Sequence, residues 1–197
     1  MRNLLTLNKA GRLSLRSGNG GETEVPTSRP NALLLIDTSG SMAGAKIEQA
    51  KSGAIDFAHS AIARGYATAL AIFADRAAMV CDPTVDTAHF TRKIAGLDVG
   101  LVGGTTDLSA GLKLATKFPK LAAVVVVTDG ATPQAPALKT ATTLKGKGVD
   151  IICIGTDDAD GTFLKQLATR SDLATHVSSQ NLRSAIDGAS RLLKGKQ

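Results

Sequence analysis

Apolar residues recur along this chain in two rhythms. The first is the short, nearly unbroken run: Ala32-Leu33-Leu34-Leu35-Ile36, then residues 67–73, 122–127 and 149–154. Runs this short without polar alternation mark strands buried on both faces, where neither side has to meet water. The second rhythm is a spacing of three and four. Ile47, Ala50, Ala54, Phe57, Ala58, Ala61 and Ile62 follow it, which predicts an amphipathic helix ending near Gly65. Similar patterns predict helices over 87–94, 108–117, 135–145, 160–169 and 181–194, the third stopping at Gly146 and Gly148. Two shorter strands are expected at 78–81 and 175–177. The first of these runs into Asp82-Pro83, as an edge strand does, since proline donates nothing to a ladder. Strands alternating with helices predict an α/β fold. Its sheet is mostly parallel and doubly wound, with helices on both faces.

The first thirty residues break the pattern. Leu4-Leu5-Thr6-Leu7 and Leu13-Ser14-Leu15 flank Asn8-Lys9-Ala10-Gly11, which reads as two short strands about a turn. Ser17-Gly18-Asn19-Gly20-Gly21 and the stretch between Pro26 and Pro30 then read as a flexible connection. This divides the chain into an N-terminal arm or β-hairpin with linker, 1–30, and one domain, 31–197. The opening contains arginine and no acid before Glu22, as a mitochondrial transit peptide would. The alternation Arg12-Leu13-Ser14-Leu15-Arg16 has strand period, however, so an arm on a cytoplasmic protein is the expectation.

Composition narrows the function classes. With 43% hydrophobic and 20% charged residues the chain is no disordered segment. No apolar run approaches the roughly 20 residues that span a bilayer, so no membrane role is expected. The net charge of +6 invites a nucleic-acid reading, but the excess sits in the two ends. Residues 31–182 carry 14 basic and 14 acidic side chains. Aromatic residues amount to 3%, with no tryptophan to stack on bases. Nucleic acid is therefore not an expected partner. Two cysteines make no disulfide framework.

In doubly wound sheets, ligands bind beyond the carboxyl ends of the strands, at a topological switch point. Asp37-Thr38-Ser39-Gly40-Ser41 follows the first buried run, Thr128-Asp129-Gly130 follows the run at 122–127, and Thr105-Thr106-Asp107 follows a glycine-rich turn. Three segments thus bring carboxylates and hydroxyls to one sheet edge. An oxygen-only donor set selects a hard cation, and Mg²⁺ keeps several waters in its octahedron. Because hydroxyl ligands are neutral, the protein supplies few negative charges, and a carboxylate from outside can complete the shell.

The segment Asp37-Thr38-Ser39-Gly40-Ser41 resembles the Asp-x-Ser-x-Ser sequence that opens the metal-ion-dependent adhesion site of von Willebrand factor type A domains. The resemblance covers about residues 31–195 and includes the order of the three segments. It implies a Rossmann-like sheet of six strands with one antiparallel edge strand, and Mg²⁺ or Mn²⁺ at its top. The implied ligands are Asp37, Ser39, Ser41, a threonine of the glycine-rich turn and Asp129. Thr105 and Thr106 are both available for the fourth place. Counting back from Gly111-Leu112, Thr106 fits the family spacing. The resemblance further implies a non-enzymatic module that binds a protein partner's Glu or Asp through the metal. Intracellular prokaryotic members accompany ATPases or assembly factors.

Plainer roles compete for each residue. Ser39 or Ser41 could cap the following helix, Thr106 or Asp107 the next one, and Asp129-Gly130 could be a simple turn; Asp107 could instead join the ion's outer shell through water. Gly40-Ser41-Met42-Ala43-Gly44 lacks the central serine of a hydrolase elbow. His59, His89 and His176 have no partner evident in the sequence. A second function also competes: Mg²⁺-dependent phosphoryl transfer with Asp37 as nucleophile. It would want a second acid two positions on for proton transfer, and Ser39 stands there.

Overall fold

The computed structural model describes residues 4–7, 13–16 and 29–194. Two strands, β1 (Leu4–Leu7) and β2 (Leu13–Arg16), pair antiparallel, with Leu4 opposite Arg16. The connection expected over residues 17–28 lies outside the described residues.

The main sheet is built from β3 (Asn31–Asp37), β4 (Ala67–Phe73), β5 (Ala77–Thr84), β6 (Leu121–Thr128), β7 (Asp150–Thr156) and β8 (Ala174–Val177). They lie in the order β5-β4-β3-β6-β7-β8, and all neighbours are parallel except β5, which runs antiparallel to β4 at the edge. The expected six-stranded Rossmann-like architecture is the one observed. Every residue of β3, β4 and β7 is buried, which is why these strands show no polar alternation. β5 is only partly buried and twice irregular in register, so its apolar signal is weak. It runs past Pro83 to Thr84, longer than its sequence pattern indicates.

Six helices cover the sheet: α1 (Ala45–Ala63), α2 (Thr87–Ala95), α3 (Leu108–Thr116), α4 (Gln134–Gly146), α5 (Gly161–Leu167) and α6 (Leu182–Leu192). α1 packs with α2 and α6, while α3, α4 and α5 pack in series. The α1–α6 seam is close because Gly53 has no side chain. A Cβ there would stand 2.8 Å from the Arg183 carbonyl oxygen and 2.9 Å from Ile186 Cβ. Arg183 Nε pairs with Asp56 at 2.7 Å, and Ser60 donates to Asp187 at 2.9 Å across the same seam. Gly111 lets α3 lie on Leu35 in the same manner. Among the described residues no helix is long and apolar enough to cross a membrane.

From β3 the chain moves first to β4 on one side, then returns to β6 on the other. The sheet order reverses between β3 and β6, so their carboxyl ends flank the crevice where such folds bind ligands.

Candidate metal centre

β3 ends in Asp37, whose side chain is fully buried at that crevice. The chain leaves in extended backbone through Ser39, makes a single 3₁₀ turn over Gly40–Met42 and enters α1 after Gly44. Gly44 holds φ at 76° and ψ at −129°, a conformation that side chains disfavour. Met42 is fully buried and anchors the loop from below. No side chain caps the 3₁₀ turn or α1, so neither Ser39 nor Ser41 is spent on an N-cap.

The glycine-rich loop before α3 is tied to this segment through the backbone. Gly100 N donates to Thr38 O at 2.9 Å, and Gly40 N donates to Gly104 O at 3.2 Å. Asp75, just beyond β4, accepts from both the backbone N–H (2.7 Å) and the hydroxyl of Thr105. Gly103, at φ 118°, lies against the same carboxyl, which a Cβ would strike. Asp107 caps α3, accepting from Ser109 N at 2.9 Å and from its hydroxyl at 2.6 Å. Of the three neighbours, Thr105 and Asp107 are thus engaged elsewhere. Thr106 turns towards Gly130: a Cβ on that glycine would stand 3.5 Å from Thr106 Oγ1 and 3.8 Å from Ser41 Oγ. The missing side chain leaves a gap between the two hydroxyls.

From β6, Thr128 donates to Asp37 Oδ2 at 2.7 Å, while the Ser39 N–H donates to Oδ1 at 2.8 Å. Asp129 accepts from the Ser41 hydroxyl through Oδ1 at 2.7 Å, and Ser41 Oγ lies 3.2 Å from Ser39 Oγ. The structure therefore brings Asp37, Ser39, Ser41 and Asp129 into one cluster, with Thr106 facing it. Burial pushes the Asp37 carboxyl above the usual carboxylate range. Hydrogen bonds from Ser39 and Thr128 pull the other way, and the charge of Asp129 adds to the rise.

Two residues of the cluster belong to none of the three sequence segments. Lys46, in the first turn of α1, donates to Asp129 Oδ2 and pairs with Asp157 Oδ2 at 3.0 Å. Partial burial works against its charge, but the hydrogen bonds and attraction of Asp129 and Asp157 outweigh that and raise its pKa. Asp157 follows β7 with φ at 50°, and its carbonyl oxygen is 3.2 Å from His176 Nε2. His176 thus has a partner after all, a backbone carbonyl. A signal for Asp157 existed: it follows a buried strand, as Asp37 and Asp129 do.

Chemically, two carboxylates and three hydroxyls suit a hard divalent cation and offer nothing to a soft one. Among the described residues no three His, Cys, Asp or Glu side chains converge, so any such centre here depends on the hydroxyls. The Lys46 ammonium on Asp129 shows that this carboxylate already accepts a cation. The donor set fits the group the fold implies.

A doubly wound sheet with this oxygen-lined crevice at its switch point defines the class. The chain belongs to the von Willebrand factor type A family, whose model, described as the von Willebrand factor type A domain, matches residues 32–131. Among solved structures, the fold is similar to the von Willebrand factor domain of the type V pili tip protein Mfa5 from Porphyromonas gingivalis. That match has a TM-score of 0.74 at 16% identity, over 86% of this chain and 97% of the other. It is also similar to proximal thread matrix protein 1 of the mussel byssus, with a TM-score of 0.72 at 19% identity, over 84% of this chain and 46% of that one. Another structure of the byssus protein has zinc in its MIDAS motif. It matches with a TM-score of 0.65 at 19% identity, over 82% of this chain and 46% of that one. In sequence, the chain is 30% identical over 160 residues to the 60 kDa subunit of magnesium chelatase from Cereibacter sphaeroides. The match takes in 71% of this chain but only 28% of that subunit's length.

Proposed function

We propose that this protein is a metal-dependent protein-interaction module and not an enzyme. Asp37, Ser39, Ser41, Thr106 and Asp129 would hold the ion, Mg²⁺ or Mn²⁺. The observation that carries the reading is the hydrogen-bonded set of Asp37, Ser39, Ser41 and Asp129 at the switch point, with Thr106 opposite across Gly130. When bound, the ion supplies a positive charge with exchangeable positions, which a partner's Glu or Asp can fill. The chain's own residues prepare the place. Thr128 and the Ser39 N–H fix both oxygens of Asp37, so that carboxylate is oriented before any ligand arrives. The backbone ties from Gly100 and Gly40 hold the hydroxyl-bearing loops together.

Supporting the non-enzymatic reading, Ser39 stands where phosphoryl transfer from Asp37 would want a second acid, and a hydroxyl has no suitable pKa for that work. The relative's name makes it one subunit of a magnesium chelatase. A subunit works beside other chains, which supports a protein partner; the partner proposed is an ATPase or assembly factor in the cytoplasm, bound by the 31–197 domain. The β1–β2 arm would serve oligomerisation or docking.

The test has two arms. Titration of the purified protein with MgCl₂ or MnCl₂ should show binding that Asp37→Ala and Ser41→Ala abolish while the circular dichroism spectrum is unchanged. A tagged pull-down should then retain a partner in Mg²⁺, and lose it in EDTA or with Ser41→Ala. Retention indifferent to both EDTA and Ser41 would remove the metal from the function.

A further inference from the structure

Lys46 is a fixed positive charge on a carboxylate that belongs to the centre. Its ammonium bridges Asp129 Oδ2 and Asp157 Oδ2, so it ties the first turn of α1 to the ends of both β6 and β7. Its side chain is 20% exposed and the Asp129 side chain that it meets is 1% exposed, so water screens their contact only in part. Asp129 divides its two oxygens: Oδ1 accepts from Ser41, Oδ2 from Lys46. Any divalent ion that uses Asp129 must share that carboxylate with an ammonium a few ångströms away. Like charges at such separations repel strongly where burial lowers the effective dielectric. Asp157 acts in the opposite sense. It offers Lys46 a second carboxylate, away from the hydroxyl cluster, and draws part of the ammonium's interaction off Asp129.

We propose that Lys46 and Asp157 form an opposed pair that sets the ion affinity of this centre, Lys46 weakening it by competing for Asp129 and Asp157 strengthening it by drawing Lys46 aside. The inference rests on the metal reading of Asp37, Ser39, Ser41, Thr106 and Asp129, and goes beyond it in giving two non-ligand residues opposite effects. It also gives a physical account of how the module favours an acidic partner. With Lys46 cancelling part of the charge of Asp129, the ion keeps more of its own charge for an incoming carboxylate. A merely structural Lys46, needed only to orient Asp129, would give the contrary sign on substitution.

The experiment is calorimetric titration of the full chain with MgCl₂ and MnCl₂, for wild type, Lys46→Met, Lys46→Arg, Asp157→Asn and the Lys46→Met/Asp157→Asn double variant. Thermal melts in EDTA check that each variant folds. Lys46→Met should tighten Mg²⁺ binding about tenfold or more, and Lys46→Arg, which keeps the charge, should stay near wild type. Asp157→Asn should weaken binding several-fold, and the same change in the Lys46→Met background should have a clearly smaller effect, because Asp157 acts mainly through Lys46. Weaker binding by a folded Lys46→Met would overturn the proposal and make Lys46 an orienting residue. So would an Asp157→Asn effect of undiminished size in the double variant. If Lys46→Met does not fold, Lys46→Gln, which keeps a polar side chain without the charge, takes its place with the same expected sign. A wild type that binds neither ion defeats the metal reading itself, and the affinity-setting role falls with it.

Discussion

The interior of β3 and its last residue live under the same burial but opposite physics. Ala32 to Ile36 are fully buried and wholly apolar, and so is most of β6 opposite them. One step further along the same strands, Asp37, Thr38, Ser39, Thr128 and Asp129 are each at most 2% exposed, yet every one is polar. Burying an apolar side chain contributes about 1.5–3 kcal/mol to folding, whereas burying a carboxylate is costly unless partners compensate. The first region is what folds the sheet. The second is held in place by the fold, through bonds from Ser39 N, Thr128 and Lys46, and it concentrates the chemistry where the sheet order reverses. Substitutions in the two regions should therefore separate stability from ion binding.

The largest stability effect is expected in the strand interior. Leu34 is fully buried between Leu70 and Val125 in the central ladder, so Leu34→Ala should cost about 2–5 kcal/mol through lost burial and the cavity left behind. Urea unfolding measures the loss. Provided the variant folds, its stabilisation by Mg²⁺ should match that of wild type. An unstable variant with a lost metal response would blur the separation of the two regions.

At the polar end the expectations reverse. Mg²⁺ at about a hundred times its dissociation constant should stabilise wild type by about 2.7 kcal/mol, a rise in Tm of about 5–11 °C for a chain of this size. Asp37→Asn should abolish that rise and yet leave the protein in EDTA more stable than wild type. Asp37 has its pKa raised above the ordinary 3.8 chiefly by burial, so the folded chain takes up this proton at a higher pH than the unfolded chain does. Its charge weighs on stability above the folded pKa, and that cost is relieved as the pH falls towards 3.8. Asparagine removes it at every pH, and the Asn amide can still meet Thr128 and the Ser39 N–H. The wild-type Tm in EDTA should accordingly gain on the variant's between neutral pH and about 4, as differential scanning calorimetry would show. A variant less stable at neutral pH would mean the hydrogen bonds outweigh burial.

A smaller effect concerns the thiols. Burial pushes Cys153 up to about 12 and Cys81 up to about 11, so neither is thiolate at pH 8. The folded protein should leave Ellman's reagent unreacted over minutes, and both thiols should react in guanidinium. Prompt reaction of one thiol in the native state would expose the edge strand β5, where Cys81 sits, as locally open.

These contrasts also explain what the sequence made legible. β3, β6 and β7 announce themselves because burial on both faces leaves no polar position. β5 does so only in part, since its partly buried residues carry a mixed pattern. Asp37, Ser39, Ser41 and Asp129 are legible because each follows closely on a strand end. Asp157 carries the same signal after β7, but its pairing with Lys46 is not legible, because it joins residues more than a hundred positions apart and nothing local marks it. The choice between Thr105 and Thr106 could be approached only by counting. In the fold, Asp75 engages Thr105, and that contact also comes from a distant part of the chain.

The finest test of the comparison uses two adjacent residues. Thr106 and Asp107 leave the same loop, and either could be read as a ligand or as a helix cap. In the structure Asp107 accepts from the Ser109 N–H and hydroxyl, while Thr106 Oγ1 lies towards Ser41 across Gly130. Asp107→Ala should therefore cost about 1 kcal/mol of stability, as the loss of an N-cap does, and leave Mg²⁺ affinity within about twofold of wild type. Thr106→Ala should do the converse, lowering Mg²⁺ affinity at least about tenfold with little change in the urea midpoint measured in EDTA. If instead Asp107→Ala weakened Mg²⁺ binding as much as Thr106→Ala, Asp107 would belong to the centre. The boundary between folding residues and binding residues would then run through α3 rather than in front of it.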